Sequence, residues 1–237
     1  MPRSTRWSTT SSRSDPLRGM PVLVMAKHPA PGRVKTRLAG ALGAAAAAEL
    51  ARAFIADLGV RLGGLGASVA WAFWPPDAPF AGLVPGAPCV PQHGRDLGER
   101  LRAAIAWAFA RDPRPLAILG ADVPHVEAAT LREAATALAG DADVVLGPTP
   151  DGGYYLLALR APQPALFERV PWGGSRVLAV TLERARAAGL RVHLLPATFD
   201  VDTPADLAAL RQLLAAGTVV LPETAALLER LGRAGMA

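Results

Sequence analysis

The amino-acid sequence predicts an α/β domain, a single-domain α/β/α sandwich in which helices cover both faces of a mostly parallel, mixed sheet. Short apolar runs typical of buried strands alternate along the chain with longer segments of helical periodicity. Such alternation is typical of parallel sheets, because each crossover between neighbouring strands is a helix. A length of 237 residues suits one such domain and is short for two.

The first nineteen residues differ from the rest of the chain. They are rich in Ser and Arg and have no apolar periodicity, so we expect a disordered extension over residues 1–19 and a folded domain over residues 20–237. Four arginines against one aspartate in this stretch account for most of the net charge of +5. The domain therefore lacks the basic surface of a nucleic-acid-binding protein.

Two further features of the composition bear on the cellular setting. No window of 18 residues is free of charge, Pro and Gly, so no membrane span is predicted. A single cysteine, Cys89, excludes an internal disulfide and fits a reducing, cytoplasmic setting.

The predicted elements follow in order. Strands are expected at residues 22–26, 67–74, 89–92, 116–119, 143–146, 154–159 and 191–195, and helices at 44–62, 96–110, 130–139, 175–188, 204–214 and 222–231. Three helix starts have capping signals: Thr130 with Glu133, Ser175, and Thr203 with Pro204 and Asp206.

A basic loop follows the first predicted strand. It holds four cations and a glycine turn without any acid: Lys27, Gly32, Arg33, Lys35 and Arg37. Cations are disfavoured near a helix N-terminus unless an anion binds there, and a strand–loop–helix junction is a common phosphate site. The cluster indicates phosphate binding by a nucleotide; the alternative is a solvated basic turn.

Three aspartates form a candidate metal site. Asp122 ends the strand at residues 116–119, and an extended backbone would place Asp200 and Asp202 on one face with Val201 opposite. Carboxylates at strand ends are costly to bury unless paired or metal-bound, and hard oxygen ligands suit Mg²⁺ or Mn²⁺. Capping of a turn remains an alternative for Asp122 and Asp202.

Two glycine-containing turns are candidate substrate contacts. Asp151, Gly152 and Gly153 precede Tyr154, and a glycine pair lets a ligand approach the backbone. A plain tight turn explains the same residues equally well. Trp172 precedes a second glycine pair and is either a substrate contact or a core residue before a helix.

These motifs together resemble a known family. Ala26-Lys27-x-Pro29-x-Pro31-Gly32-x-Val34-Lys35-Thr36-Arg37-Leu38, Gly120-Ala121-Asp122-Val123-Pro124, Gly147-Pro148-x-x-Asp151-Gly152-Gly153-Tyr154-Tyr155 and Asp200-x-Asp202-Thr203-Pro204-x-Asp206-Leu207 occur in this order. The pattern resembles the DUF2064 group of glycosyltransferase-A-like bacterial proteins, some named for arsenosugar biosynthesis, over residues 21–214. Gly174 departs from it, since a Thr or Ser is expected after Trp-Gly.

The resemblance implies a seven-stranded sheet of the GT-A type, similar in fold to molybdenum-cofactor and phospholactate nucleotidyltransferases. It implies that Lys35 and Arg37 hold phosphates and that Asp122 and Asp202 hold the metal. We therefore expect a metal-dependent glycosyltransferase with a nucleotide-sugar donor and a small-molecule acceptor, with Asp122, Asp202 and Lys35 in catalysis. The alternatives are nucleotidyl transfer from an NTP to a phosphorylated or acidic acceptor, and a non-catalytic nucleotide-binding module.

Overall fold

The structure, a computed structural model, describes residues 15–234 as one seven-stranded sheet with helices on both faces. The strands are β1 (Pro21–Lys27), β2 (Ser68–Trp74), β3 (Cys89–Pro91), β4 (Leu116–Gly120), β5 (Val144–Pro148), β6 (Tyr154–Leu159) and β7 (Val192–Leu194). The helices are α1 (Thr36–Leu42), α2 (Ala44–Gly64), α3 (Leu97–Arg111), α4 (Ala128–Ala139), α5 (Val177–Ala187), α6 (Pro204–Ala215) and α7 (Pro222–Ala234). None of the helices in this range combines the length and apolarity that crossing a bilayer requires.

The strand order is β3-β2-β1-β4-β6-β5-β7, and only β6 runs antiparallel to its neighbours. The predicted α/β class and the mostly parallel, mixed sheet are confirmed. β1 lies between β2 and β4, so the chain leaves β1 toward one side of the sheet and later returns on the other. Ligands of open α/β sheets bind at such a reversal, beyond the carboxyl ends of the strands.

Both faces of β1 are buried, as its apolar run predicts. Val22 and Val24 belong to the core layer beneath α2 and α4, whereas Leu23 belongs to the layer beneath α3 and α5. A third apolar cluster joins α1, α2, α6 and α7. The sheet therefore holds the ends of β1 and β4 rigidly between two packed layers.

The helix starts follow their capping signals in one case of three. Thr203 and Asp206 form a complete capping box with Pro204 in the first turn of α6, as predicted. The predicted capping box of Thr130 and Glu133 is wrong. Glu127, whose backbone is extended, is the N-cap residue of α4, and no side chain caps this helix. Ser175 does not cap α5, because the α5 amide of Leu178 donates instead to the Gly152 carbonyl at 2.8 Å.

The predicted boundary at residue 20 is wrong. Leu17 is fully buried in the core layer beneath α2 and α4, and Gly19 donates its amide to the Gly66 carbonyl at 2.7 Å. Asp15 pairs with Arg132 of α4 at 3.0 Å. A single well-placed leucine and one ion pair dock this segment without any periodic pattern; residues 1–14 of the predicted extension lie outside the described part of the chain.

Candidate active site

Two pockets meet at the carboxyl ends of β1 and β4, where the register sets Met25 opposite Gly120. Met25, Arg37, Leu97, Gly120 and Asp122 line both pockets. The shared wall therefore contains one of the three aspartates that the sequence singles out.

The first, here called the basic pocket, has a volume of about 460 Å³. Five cations and two carboxylates line it: Lys27, Arg33, Lys35, Arg37, Arg100, Asp122 and Asp202. This excess of positive charge suits an anionic ligand such as a polyphosphate.

The second, here called the acidic pocket, has a volume of about 400 Å³. Its lining includes three carboxylates, those of Asp122, Asp151 and Asp200, and one cation, Arg37. Its floor is apolar, and the predicted contact residues Tyr154 and Trp172 belong to its walls. The charges of the two pockets are thus opposite in sign.

Lys35 joins two of the aspartates. Its side chain is only 2% exposed, and its ammonium contacts Oδ1 of Asp122 and, at 3.0 Å, Oδ1 of Asp202. Burial by itself would lower the pKa of Lys35, but the two carboxylates outweigh this effect and raise it. Lys35 therefore stays charged and holds the two carboxylates together.

The backbone of Lys35 is in the left-handed region, with φ of 47°. For a residue with a side chain this conformation costs about 1 kcal/mol. It places Lys35 as the N-cap of α1 with its side chain turned inward, while the neighbouring Arg33 and Arg37 are exposed at the mouth of the basic pocket. No sequence signal marks this conformation at a lysine.

The segment with Asp200 and Asp202 is not extended as predicted. The Asp202 amide donates to the Asp200 carbonyl at 3.1 Å, which closes a three-residue turn around Val201. Val201 is fully buried, and its amide donates to the Asp122 carbonyl at 2.9 Å. This turn lets Asp202 line the basic pocket and Asp200 the acidic one.

Asp200 is the most perturbed carboxyl group of the site. Burial first, and then the charges of Asp122 and Asp202, raise its pKa to about 7. Lys35 offsets this only in part. The Lys35 ammonium thus pairs with Asp122 and Asp202, whereas Asp200 has no ion pair with it.

This donor set fits a hard divalent cation in charge and ligand type. Within residues 15–234, however, the His, Cys, Asp and Glu side chains form no group of three or more arranged to hold a metal. Asp122 and Asp202 are the residues best placed to bind a metal, because their carboxylates already contact the same cation, the Lys35 ammonium. Asp200 belongs to the other pocket.

The rest of the predicted basic loop lies where a ligand can reach it. Lys27, at the end of β1, is exposed and lines the basic pocket. Gly32, with φ of 73°, makes the turn but lies outside the pocket lining.

Three further residues of the basic pocket carried no signal in the sequence. The Arg100 guanidinium lies 3.7 Å from the ring centre of Trp74. The buried Gln92 donates to the Ala72 carbonyl at 2.8 Å beside them. They come together only through the pairing of β2 with β3 and the packing of α3.

The Asp151 loop is built by packing as well as by turn chemistry. Oδ1 of Asp151 accepts from the Thr149 hydroxyl at 2.6 Å and from the Gly153 amide at 3.2 Å. A Cβ on Gly152 would lie 1.9 Å from the Ser175 carbonyl oxygen, so Gly152 allows two loops to touch. Gly152 lies outside the pocket lining, between Asp151 and Gly153, which belong to it, and its role in substrate binding stays a prediction.

Trp172 packs on helix α3. A Cβ on Gly98 would lie 2.4 Å from the indole nitrogen, so this glycine makes room for the ring. Gly174, at the departure from the family pattern, lies in the lining beside Ser175, which supplies a hydroxyl from the next position. The acidic pocket is therefore preformed by contacts among its own walls.

Comparisons with known proteins agree with this fold. The profile of a family described as "Uncharacterized protein conserved in bacteria (DUF2064)" matches residues 46–174, a range that includes Asp122 and Asp151 but not Lys35 or Asp202. No curated protein is a significant match. A crystal structure from Desulfovibrio desulfuricans G20, provisionally named a nucleotide-diphospho-sugar transferase, is 34% identical with a TM-score of 0.82 over 90% of this chain and 95% of that one.

More distant structures share the fold alone. A 4-diphosphocytidyl-2C-methyl-D-erythritol synthase is 15% identical, with a TM-score of 0.52 over 83% of this chain and 98% of that one. The inositol-1-phosphate CTP transferase from T. maritima is 12% identical, with a TM-score of 0.50 over 83% and 96%. With a profile match over more than half of its length and a similar structure at 34% identity, the chain belongs to the DUF2064 family.

Proposed function

We propose that this protein is a metal-dependent transferase that binds an activated nucleotide in the basic pocket and an acceptor in the acidic pocket. The observation that carries the proposal is the meeting of two oppositely charged pockets at Asp122. A transfer reaction needs its two reactants on either side of one charge-stabilising centre. The name of the 34% identical structure supports a nucleotide sugar as the donor.

The exposed cations Lys27, Arg33 and Arg37 are the residues proposed to bind the phosphates. Lys35 is paired with both aspartates, so its direct contact with phosphate stays a prediction, and its proposed role is to position them. Mg²⁺ or Mn²⁺ held by Asp122 and Asp202 would neutralise charge on the nucleotide phosphates. Asp200 as a third ligand also stays a prediction.

The test is nucleotide binding by calorimetry, with UDP-glucose, GDP-mannose, CTP and GTP, each with Mg²⁺ or Mn²⁺. The substitution Arg37→Ala should weaken the best ligand by about 1–3 kcal/mol, as the loss of a charged hydrogen bond does. Arg211→Ala, on the exposed face of α6, is the matched control and should leave affinity unchanged. Equal affinity of Arg37→Ala and wild type would refute phosphate binding in the basic pocket.

Nucleotidyl transfer is a second candidate, favoured by the size of the cation cluster. Five cations around one pocket suit a triphosphate at least as well as a nucleotide sugar. The two reactions differ in the product that leaves the donor. Release of pyrophosphate from an NTP would establish nucleotidyl transfer, and release of a nucleoside diphosphate from a nucleotide sugar would establish glycosyl transfer.

A further inference from the structure

The acidic pocket has an arrangement of charge that selects among acceptors. Its three carboxylates come from three segments: Asp122 follows β4, Asp151 lies on the loop after β5, and Asp200 precedes α6. Arg37 is the one cation in its lining, and it also lines the basic pocket, where the donor phosphates are proposed to bind.

Asp151 has one oxygen available to a ligand. Its Oδ1 accepts the hydrogen bonds from Thr149 and Gly153, whereas no residue in the range 15–234 donates to its Oδ2. Asp151 is exposed at the pocket wall. A carboxylate oxygen in this position accepts hydrogen bonds from hydroxyl or ammonium groups and repels other anions.

The remaining lining is neutral. Leu101, Ile118 and Leu157 form an apolar floor, Trp172 offers an aromatic ring, and Ser175 offers a hydroxyl. Such a surface binds the carbon face of a polyol ring or an aliphatic chain. The one basic side chain of the lining, Arg37, is shared with the basic pocket, where it is assigned to the donor phosphates.

A metal at the shared wall does not reverse this preference. A divalent cation held by Asp122 and Asp202 would neutralise the wall that faces the donor. It would not contact Asp151 through either of these ligands and would add no cationic side chain to the acidic pocket. The selection against anions at Asp151 is thus independent of the metal.

We propose that the acceptor is a neutral or positively charged molecule whose hydroxyl or amine groups bind Asp151, and that phosphorylated and carboxylated acceptors are excluded. This inference rests on the proposed function, because it assigns the acidic pocket to the acceptor. The inference also distinguishes the two candidate reactions. Nucleotidyl transfer is expected to use a phosphorylated or acidic acceptor, so a neutral or cationic acceptor favours glycosyl transfer.

The test uses a fluorine-labelled fragment library divided into cationic, neutral-hydroxyl and anionic classes of equal size and matched skeletons, screened by NMR against the full chain. Hits in the acidic pocket are those that shift the Trp172 indole signal, assigned with Trp172→Phe. We expect at least fivefold more hits in the cationic and neutral-hydroxyl classes than in the anionic class. Asp151→Lys should reverse this order, Asp151→Asn should remove the preference for cations, and the control Asp77→Lys, at an exposed site outside both pocket linings, should change neither.

Enrichment of anionic hits in the wild type, an unchanged order in Asp151→Lys, or no hits from any class would overturn the inference. The proposed function fails differently, through a lack of nucleotide binding in the basic pocket. Nucleotide binding and turnover with a phosphorylated acceptor would overturn only the inference about the acceptor.

Discussion

The ammonium of Lys35 lies 3.0 Å from Oδ1 of Asp202, a residue 167 positions further along the chain, and also contacts Oδ1 of Asp122. The sequence alone suggests that two carboxylates facing each other without a metal repel, so that neutralising either would leave the fold intact or slightly stabilised. The structure contradicts this argument, because a buried cation lies between them. Each carboxylate is half-exposed, whereas the lysine side chain is not.

Asp122→Asn and Asp202→Asn should therefore each destabilise the metal-free protein. Each variant leaves Lys35 buried with one charged partner in place of two, and we expect a loss of about 1–3 kcal/mol in the free energy of unfolding. Asp200→Asn is the matched comparison, because it removes a carboxylate whose pKa is raised, and it should stabilise the protein at pH 8. Urea denaturation at pH 8 with EDTA measures all three; stabilisation by Asp202→Asn would show that Lys35 does not depend on this pair.

The contact between Gly152 and Ser175 predicts a second stability difference. Gly152→Ala should cost at least about 3 kcal/mol, since its Cβ would overlap the Ser175 carbonyl and its φ is 88°. Gly173→Ala is the control, because its φ is 81° but its Cβ would meet nothing within 4 Å, and it should cost only about 1 kcal/mol. Equal losses in thermal or urea unfolding would mean that the two loops are not tightly packed.

The shifted pKa values of His125 and Asp200 should make the stability depend on pH, with opposite signs. Burial first, and then the charge of Arg61, lowers the pKa of His125 to about 4. The unfolded chain, with an ordinary histidine pKa near 6.5, binds more protons than the folded protein between these values. This contribution to stability is fully present above about pH 6.5 and falls by as much as about 3 kcal/mol as the pH drops to 4.

Asp200 acts in the other direction. Its pKa of about 7 in the folded protein exceeds the ordinary value of 3.8, so the folded protein binds more protons between these limits and its stability falls as the pH rises through them. Urea unfolding from pH 4 to 8 separates the two groups. Relative to wild type, His125→Gln should lose less stability toward pH 4, and Asp200→Asn should gain stability toward pH 7; profiles parallel to wild type would refute either assignment.

Leu17 tests the corrected start of the domain. Leu17→Ala should lower the free energy of unfolding by about 2–4 kcal/mol, because the side chain is fully buried under α2. Val60→Ala, at a 75% exposed position of α2, should change it by less than about 0.5 kcal/mol. Denaturation curves of the two variants that coincide would place Leu17 outside the core.

Local patterns in the sequence were enough to predict the fold class and most of the elements. Apolar runs such as that of β1 are buried on both faces, and the alternation of strands and helices leads to a mostly parallel sheet by itself. The positions of Asp122 and Lys27 follow from the same reasoning, since each lies at the carboxyl end of a parallel strand. The periodicity of apolar residues and the order of strands and helices can both be read from short stretches of the sequence.

The relations between these residues depended on the tertiary structure. Three contacts join segments that are far apart in the sequence: the Lys35 ammonium contacts Asp122 and Asp202, the Val201 amide donates to the Asp122 carbonyl, and Gly152 touches Ser175. The left-handed conformation of Lys35 and the docking of Leu17 likewise depend on what surrounds them. The sequence determined which charges gather at the end of the sheet, but burial and packing decided which of them pair and which face a ligand, because the energies of those choices arise only after distant segments meet.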